Sequence, residues 1–92
     1  MEENFNKHLG NKLKLRRLAL GLTQTKVAKA INVTFQQIQK YEKGTNKVPL
    51  DKLLMIAERT RKNLLWFLPV DNRERVVMNT EFMGTSTQTE SQ

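Results

Sequence analysis

Between Thr23 and Gly44 the chain carries two short apolar periodicities separated by only three residues. So abrupt a stop and restart confines this stretch to two short helices joined by a tight polar hinge. In the first, Val27, Ala28 and Ile31 recur at the spacing of one helical face, while Gln24, Lys26, Lys29 and Ala30 fall elsewhere. Thr23 stands where an N-cap hydroxyl accepts from the first free N–H groups, although Lys26 occupies the place of the reciprocal Glu of a capping box. Asn32 tolerates the left-handed conformation that ends a helix, and Thr34 is the cap of the next one. In that second helix Ile38 and Tyr41 share a face, with Phe35, Gln36, Gln37, Gln39 and Lys40 spread over the remainder, and Gly44 terminates it.

Two such helices, the second rich in glutamine and lysine rather than carboxylate, have the layout of a helix-turn-helix that reads DNA. Charge agrees. The 92 residues hold sixteen Lys and Arg against nine Asp and Glu, a formal net charge of +7, and the sequence pI is near 10.1, so a polyanion is the expected partner. The excess is lopsided: residues 1–68 carry 14 basic and 5 acidic side chains, for +9, and residues 69–92 carry 2 and 4, for −2. With no cysteine and a single histidine, His8, neither a disulfide nor a thiolate metal site is available. The composition suits a reducing cytosol. No apolar run approaches the ~18 residues of a membrane span, and the polar, acidic start is unlike a signal peptide, so the expected location is the cytoplasm.

The rest of the chain frames this pair. Residues 11–20 predict a first helix with Leu9, Leu13 and Leu18 facing inward and Lys12, Lys14 and Arg16 outward as a general positive field, closed by Gly21. A further helix is expected from Pro49, with Asp51 at the positive end of its dipole and Leu50, Leu53, Leu54 and Ala57 as its apolar stripe. Asn63 caps a short fifth helix, Leu64 to Leu68, ended by Pro69. Residues 1–8 are expected to be a flexible N-terminus, residues 9–68 the folded domain, and residues 69–92 an extension whose last ten residues are disordered. The run Arg73 to Met78 fits a helix, a strand or a linker equally.

The chain from about residue 9 to 68 resembles the Cro/C1 or Xre type of helix-turn-helix family, the phage repressors and their bacterial relatives. The likeness rests on Leu9-Gly10, Leu13, Arg17, Gly21-Leu22-Thr23-Gln24, Val27-Ala28, Val33-Thr34, Ile38, Tyr41-Glu42-Lys43-Gly44, Pro49, Leu53 and Ile56-Ala57, in order and at the family's spacing. The string Thr34 to Asn46 is similar to that of small, stand-alone regulators common in alphaproteobacteria. The resemblance implies an all-α fold, a compact five-helix phage-repressor-like domain with the helix-turn-helix at helices 2 and 3 and a C-terminal tail. It also implies a symmetric dimer on an imperfect palindrome, with the third helix in the major groove. Two positions depart from the family pattern. Asn32 replaces the usual glycine between helices 2 and 3, and Thr60-Arg61-Lys62 replaces an apolar-Gly-apolar junction before helix 5.

An amide pairs bidentately with adenine and lysine approaches guanine O6 and N7, so Gln36 and Lys40, four residues apart on one face, are the first base-reading candidates. By analogy with the family they act with Thr34 and Phe35, the ring against a thymine methyl; Gln37 joins them, whereas Gln39 is assigned to solvent. Phosphate contacts fix register, and Gln24 at the start of helix 2 with Lys43, Thr45, Asn46 and Lys47 after helix 3 are the candidates. For each of these, an ordinary solvated surface is the competing assignment. The family analogy makes Arg17 and Glu42 a structural ion pair, and Tyr41 and Trp66 are expected in the core.

The expected function is that of a sequence-specific transcriptional regulator of double-stranded DNA, a repressor acting as a homodimer on a palindromic operator without cofactor or metal. The alternatives are an antitoxin whose tail, residues 69–92, folds on a protein partner, and an interaction adaptor that has lost DNA reading. An enzyme is not expected, for the chain offers no Ser/His/Asp arrangement with spare histidines and no Gly-rich phosphate loop.

Overall fold

A computed structural model describes residues 2–69; the expectations for residues 70–92 lie outside the described residues. Four α-helices follow one another, α1 Glu2–Ala19, α2 Gln24–Ala30, α3 Phe35–Lys43 and α4 Leu50–Arg59, and a single 3-10 turn covers Leu64–Phe67. The described residues hold no strand, and none of their helices is long and apolar enough to cross a membrane.

The core gathers one face of each element. Leu9 and Leu13 of α1 meet Val27, Ala28 and Ile31 around α2, Ile38 and Tyr41 of α3, Leu53, Ile56 and Ala57 of α4, and Phe67 of the 3-10 turn. Each fully buried Leu, Ile or Phe contributes about 1.5–3 kcal/mol relative to exposure. Burial holds the Tyr41 phenol above the ordinary tyrosine value, with the Asp51 carboxylate adding to the effect.

Three expectations are corrected here. α1 starts at Glu2 rather than near residue 11, so residues 2–8, expected as a flexible lead-in, are its first two turns. Tertiary packing supplies what local propensity does not. A Cβ at Gly44 would sit 2.7 Å from the Lys7 Cα, and one at Gly10 would fall on the Tyr41 carbonyl oxygen and 2.8 Å from that of Glu42. The front half of α1 therefore lies directly on the C-terminal end of α3. Second, Leu18 is 54% exposed, because the inward position of that turn belongs to Arg17. Leu50, at 66%, and Leu54 are likewise exposed; the stripe of α4 is Leu53, Ile56 and Ala57. Third, the fifth helix is only one 3-10 turn. The Asn63 side chain accepts from Leu65 N at 2.8 Å, but Leu68 is already extended, as the residue before Pro69 must be.

Two residues of the general positive field, Arg16 and Lys12, also have particular partners. Arg16 donates Nε and Nη2 to the Thr60 carbonyl at 3.1 and 2.7 Å, closing the end of α4. Lys12 Nζ lies 4.4 Å and Lys62 Nζ 5.0 Å from the centre of the Trp66 ring, which packs edge-on against Phe67.

All four helices end in one kind of joint. The N–H of Gly21, Asn32, Gly44 and Arg61 bonds the carbonyl three residues back, and the following N–H reaches five back. Each of the four has positive φ, +69°, +58°, +78° and +55° in that order. Glycine and asparagine accept this conformation, whereas arginine crowds its Cβ against the following carbonyl. Arg61→Gly is therefore expected to raise stability by about 1 kcal/mol, partly offset by the freer unfolded chain. Asn32→Gly should change it by no more than a few tenths, within about 0.5 kcal/mol. Urea denaturation followed by circular dichroism compares them, and a lowered midpoint for Arg61→Gly would show that the joint is not strained.

Candidate nucleic-acid interface

α3 is set by caps at both ends, Thr34 and Gly44. Thr23 Oγ1 accepts from Lys26 N and Thr34 Oγ1 from Gln37 N, each at 3.1 Å, so α2 and α3 start at fixed residues. At the hinge, Lys52 Nζ of α4 donates to the Ile31 carbonyl at 3.0 Å and covers the end of α2. The Thr45 hydroxyl donates to the Lys40 carbonyl at 3.3 Å, drawing the loop after α3 back onto the helix.

One carboxylate then orients three elements. Glu42 Oε2 accepts from Arg17 Nε at 2.6 Å, and its Oε1 accepts from Arg17 Nη2 and from Gln24 Nε2, both at 3.0 Å. Arg17 Nη1 donates to the Leu22 carbonyl, also at 3.0 Å. The side chains of Arg17 and Glu42 are 10% and 4% exposed, and the hydrogen bond to Glu42 drives the guanidinium pKa above its already high value despite the cost of burial. α1, the start of α2 and the end of α3 thus meet at a single bidentate pair. The Gln24 amide has one N–H on Glu42 and a second left to donate outward.

With Ile38 and Tyr41 turned into the core, a helix of 3.6 residues per turn directs Gln36, Lys40 and Lys43 away from it, and all three are exposed. Among the described residues no side-chain hydrogen bond ties any of these three. Gln37 is half-buried and stands about 100° around the helix from Gln36. Phe35, 40% exposed, opens onto the other flank, and Asn46 and Lys47 are exposed in the loop.

That other flank holds residues outside the candidate set. An open groove of about 550 Å³ runs between α3 and the α1–α2 corner, lined by Lys14, Arg17, Thr23, Gln24, Thr25, Phe35, Gln39, Glu42 and Lys43. Gln39 is half-buried in its wall rather than simply solvated. Measuring its position on α3 from the buried pair Ile38 and Tyr41, instead of from Gln36 alone, would have placed it beside the outward stripe. Lys14 reaches the groove from α1. The groove is lined by donors, one engaged carboxylate and an aromatic edge, and it suits binding rather than catalysis. Among the described residues no group of three His, Cys, Asp or Glu is placed to hold a metal.

A family model described as helix-turn-helix matches residues 13–67. Among curated relatives, a protein of Sinorhizobium medicae named as an HTH-type transcriptional regulator is 49% identical over 51 residues, 55% of this chain and 37% of the relative. One of Rickettsia conorii with the same kind of name is 38% identical over 65 residues, 71% and 52% of the two chains. The chain thus spans between about a third and a half of the length of these relatives. Solved structures share the fold at lower identity. The restriction-modification controller protein C.AhdI from Aeromonas hydrophila superposes with a TM-score of 0.64 at 22% identity, over 67% of this chain and 94% of that one. A chain of the SinR–SinI protein complex gives 0.61 at 17%, over 87% and 84%. The match across residues 13–67 takes in the helix pair, the Arg17–Glu42 tie and the groove beside them, and by it the chain belongs to the Cro/C1 type of helix-turn-helix family.

Proposed function

We propose that this chain is a sequence-specific regulator of transcription that binds double-stranded DNA through α3, acting as a homodimer on a palindromic operator and repressing by occupying it. The observation that carries this is the outward stripe of α3. Gln36 and Lys40 face away from the core and, among the described residues, make no side-chain hydrogen bond, on a helix whose angle is fixed by a buried ion pair. The net charge of +9 over residues 1–68 supports a polyanionic partner, and relatives named as transcriptional regulators support the biological setting. In this reading residues 9–68 are the DNA-binding unit and residues 69–92 an extension to it.

Gln36 and Lys40 read base edges in the major groove, with Thr34 and Phe35 at the leading end of the helix and Gln37 at its side. The Thr34 hydroxyl accepts from Gln37 N and keeps its own proton to donate. Gln24 holds a backbone phosphate with the N–H that Glu42 leaves unused, and Lys43, Thr45, Asn46 and Lys47 follow the backbone beyond α3. Arg17 and Glu42 are structural, keeping α3 at its angle to α1.

Selecting bound fragments from genomic duplex DNA tests the reading. The expected outcome is a two-fold symmetric site whose half-sites lie about 34 Å apart, one helical turn. On that site Gln36→Ala should lose about 1–3 kcal/mol of binding while affinity for random duplex stays nearly constant. No preferred sequence for the unaltered chain would refute the proposal, and equal losses on both DNAs would move Gln36 from the bases to the backbone.

A further inference from the structure

We propose that Gln39 is a further specificity-determining residue, reading an A·T pair together with Phe35 from the groove side of α3; this rests on the DNA-reading function proposed above. Taking Ile38 and Tyr41 as the buried reference, Gln39 stands about 60° around α3 from Gln36, on the side opposite Lys40, whereas Gln37 is about 100° away on the Lys40 side. An α-helix lying in a major groove offers bases the arc most distant from its buried face. Gln39 falls inside that arc, between Gln36 and the groove.

Its chemistry is uncommitted. The two acceptors that would otherwise capture an amide there are already engaged, Glu42 Oε2 by Arg17 and Oε1 by Arg17 and Gln24. Among the described residues the Gln39 amide hydrogen-bonds nothing, although the residue is partly buried and lines the groove. Partial burial narrows the rotamers of a long side chain, so less freedom is lost when the amide meets a base. Four residues before it, and therefore directly above it on the same flank, is the partly exposed ring of Phe35. An amide that donates and accepts matches adenine N7 and N6, and an apolar ring edge matches a thymine methyl. Side by side, the two fit adjoining features of an A·T-containing step and suit G·C poorly. Lys14 and Lys43, on opposite walls of the groove, supply the positive charge that draws in the sugar-phosphate strand carrying those bases.

The test is repeated selection from random duplexes with the unaltered chain and with Gln39→Ala, followed by titration on the selected site. Alanine suits a helix surface, and thermal melts of both chains check that the fold is kept. The unaltered chain should select A·T at one more position per half-site than Thr34, Gln36, Gln37 and Lys40 account for. The variant should lose the preference at that position alone, weakening binding to the selected site about 5- to 150-fold and to random duplex hardly at all. If the variant selects the same sequence at every position, or weakens on both DNAs alike, the inference is overturned and the DNA-reading function stands. If the unaltered chain selects no sequence, that function fails and this assignment goes with it.

Discussion

Arg17→Ala is expected to destabilise the domain by about 3–5 kcal/mol, a large share of the ~5–14 kcal/mol available to a chain of this size. The substitution leaves the Glu42 carboxylate, 4% exposed, with only the Gln24 amide as partner in a site that water scarcely reaches. It also strips the Leu22 carbonyl of the donor that binds the first turn to α1. A buried charge without its counter-ion costs far more than the pair contributes when intact, so replacing both partners should behave differently. The double variant Arg17→Met with Glu42→Leu is expected to recover most of the loss. Even so, it should bind DNA less well, since Gln24 loses the acceptor that orients it. Urea denaturation by circular dichroism gives the stabilities. A loss below about 1 kcal/mol for Arg17→Ala would mean that solvent or a neighbouring group replaces the missing cation.

Gly10→Val should be nearly as damaging, at about 3 kcal/mol or more, although valine is a better helix former than glycine by a few tenths of a kcal/mol. The reason is the close passage of two backbones. A Cβ at position 10 coincides with the Tyr41 carbonyl oxygen and crowds that of Glu42, and these are main-chain atoms of a helix that cannot step aside as a side chain does. Relief requires α1 and α3 to separate, which opens the core at Leu13 and Ile38 and lengthens the Arg17–Glu42 bonds. Gly10→Ala should show the same effect at smaller size. A fall in midpoint of roughly 4–8 °C per kcal/mol makes either variant measurable by thermal melting, and an unchanged melting temperature would show that the helices have slack.

These two variants also mark where the sequence is legible. α2, the hinge and α3 can be placed from residues within a turn of each boundary, because threonine caps, Asn32 and Gly44 act locally. The front half of α1 cannot, since Gly10 argues against a helix until the backbone it rests on is known. Leu18, Leu50 and Leu54 mislead for a related reason: apolar spacing defines a stripe but not which edge of it faces the core, and Arg17 and Ile56 take the inward places. Of the interface, the outward direction of Gln36 and Lys40 follows from Ile38 and Tyr41 alone. The groove occupied by Gln39 exists only because α1 and α2 converge on Glu42, a meeting of residues 17, 24 and 42 that no single window contains.

Arg16 and Arg17 are neighbours in sequence and diverge by about 100° around α1, one reaching the carbonyl end of α4 and the other the tip of α3. Sliding α1 by a single residue along its axis would aim each guanidinium at empty space and withdraw it from the oxygen it serves. The pair works as a register stop, a detent that lets the long helix engage both halves of the molecule at one setting only. The N-terminal end of α1 and the α3 tip are therefore held at one spacing by a contact in the last turn of α1, at Arg17.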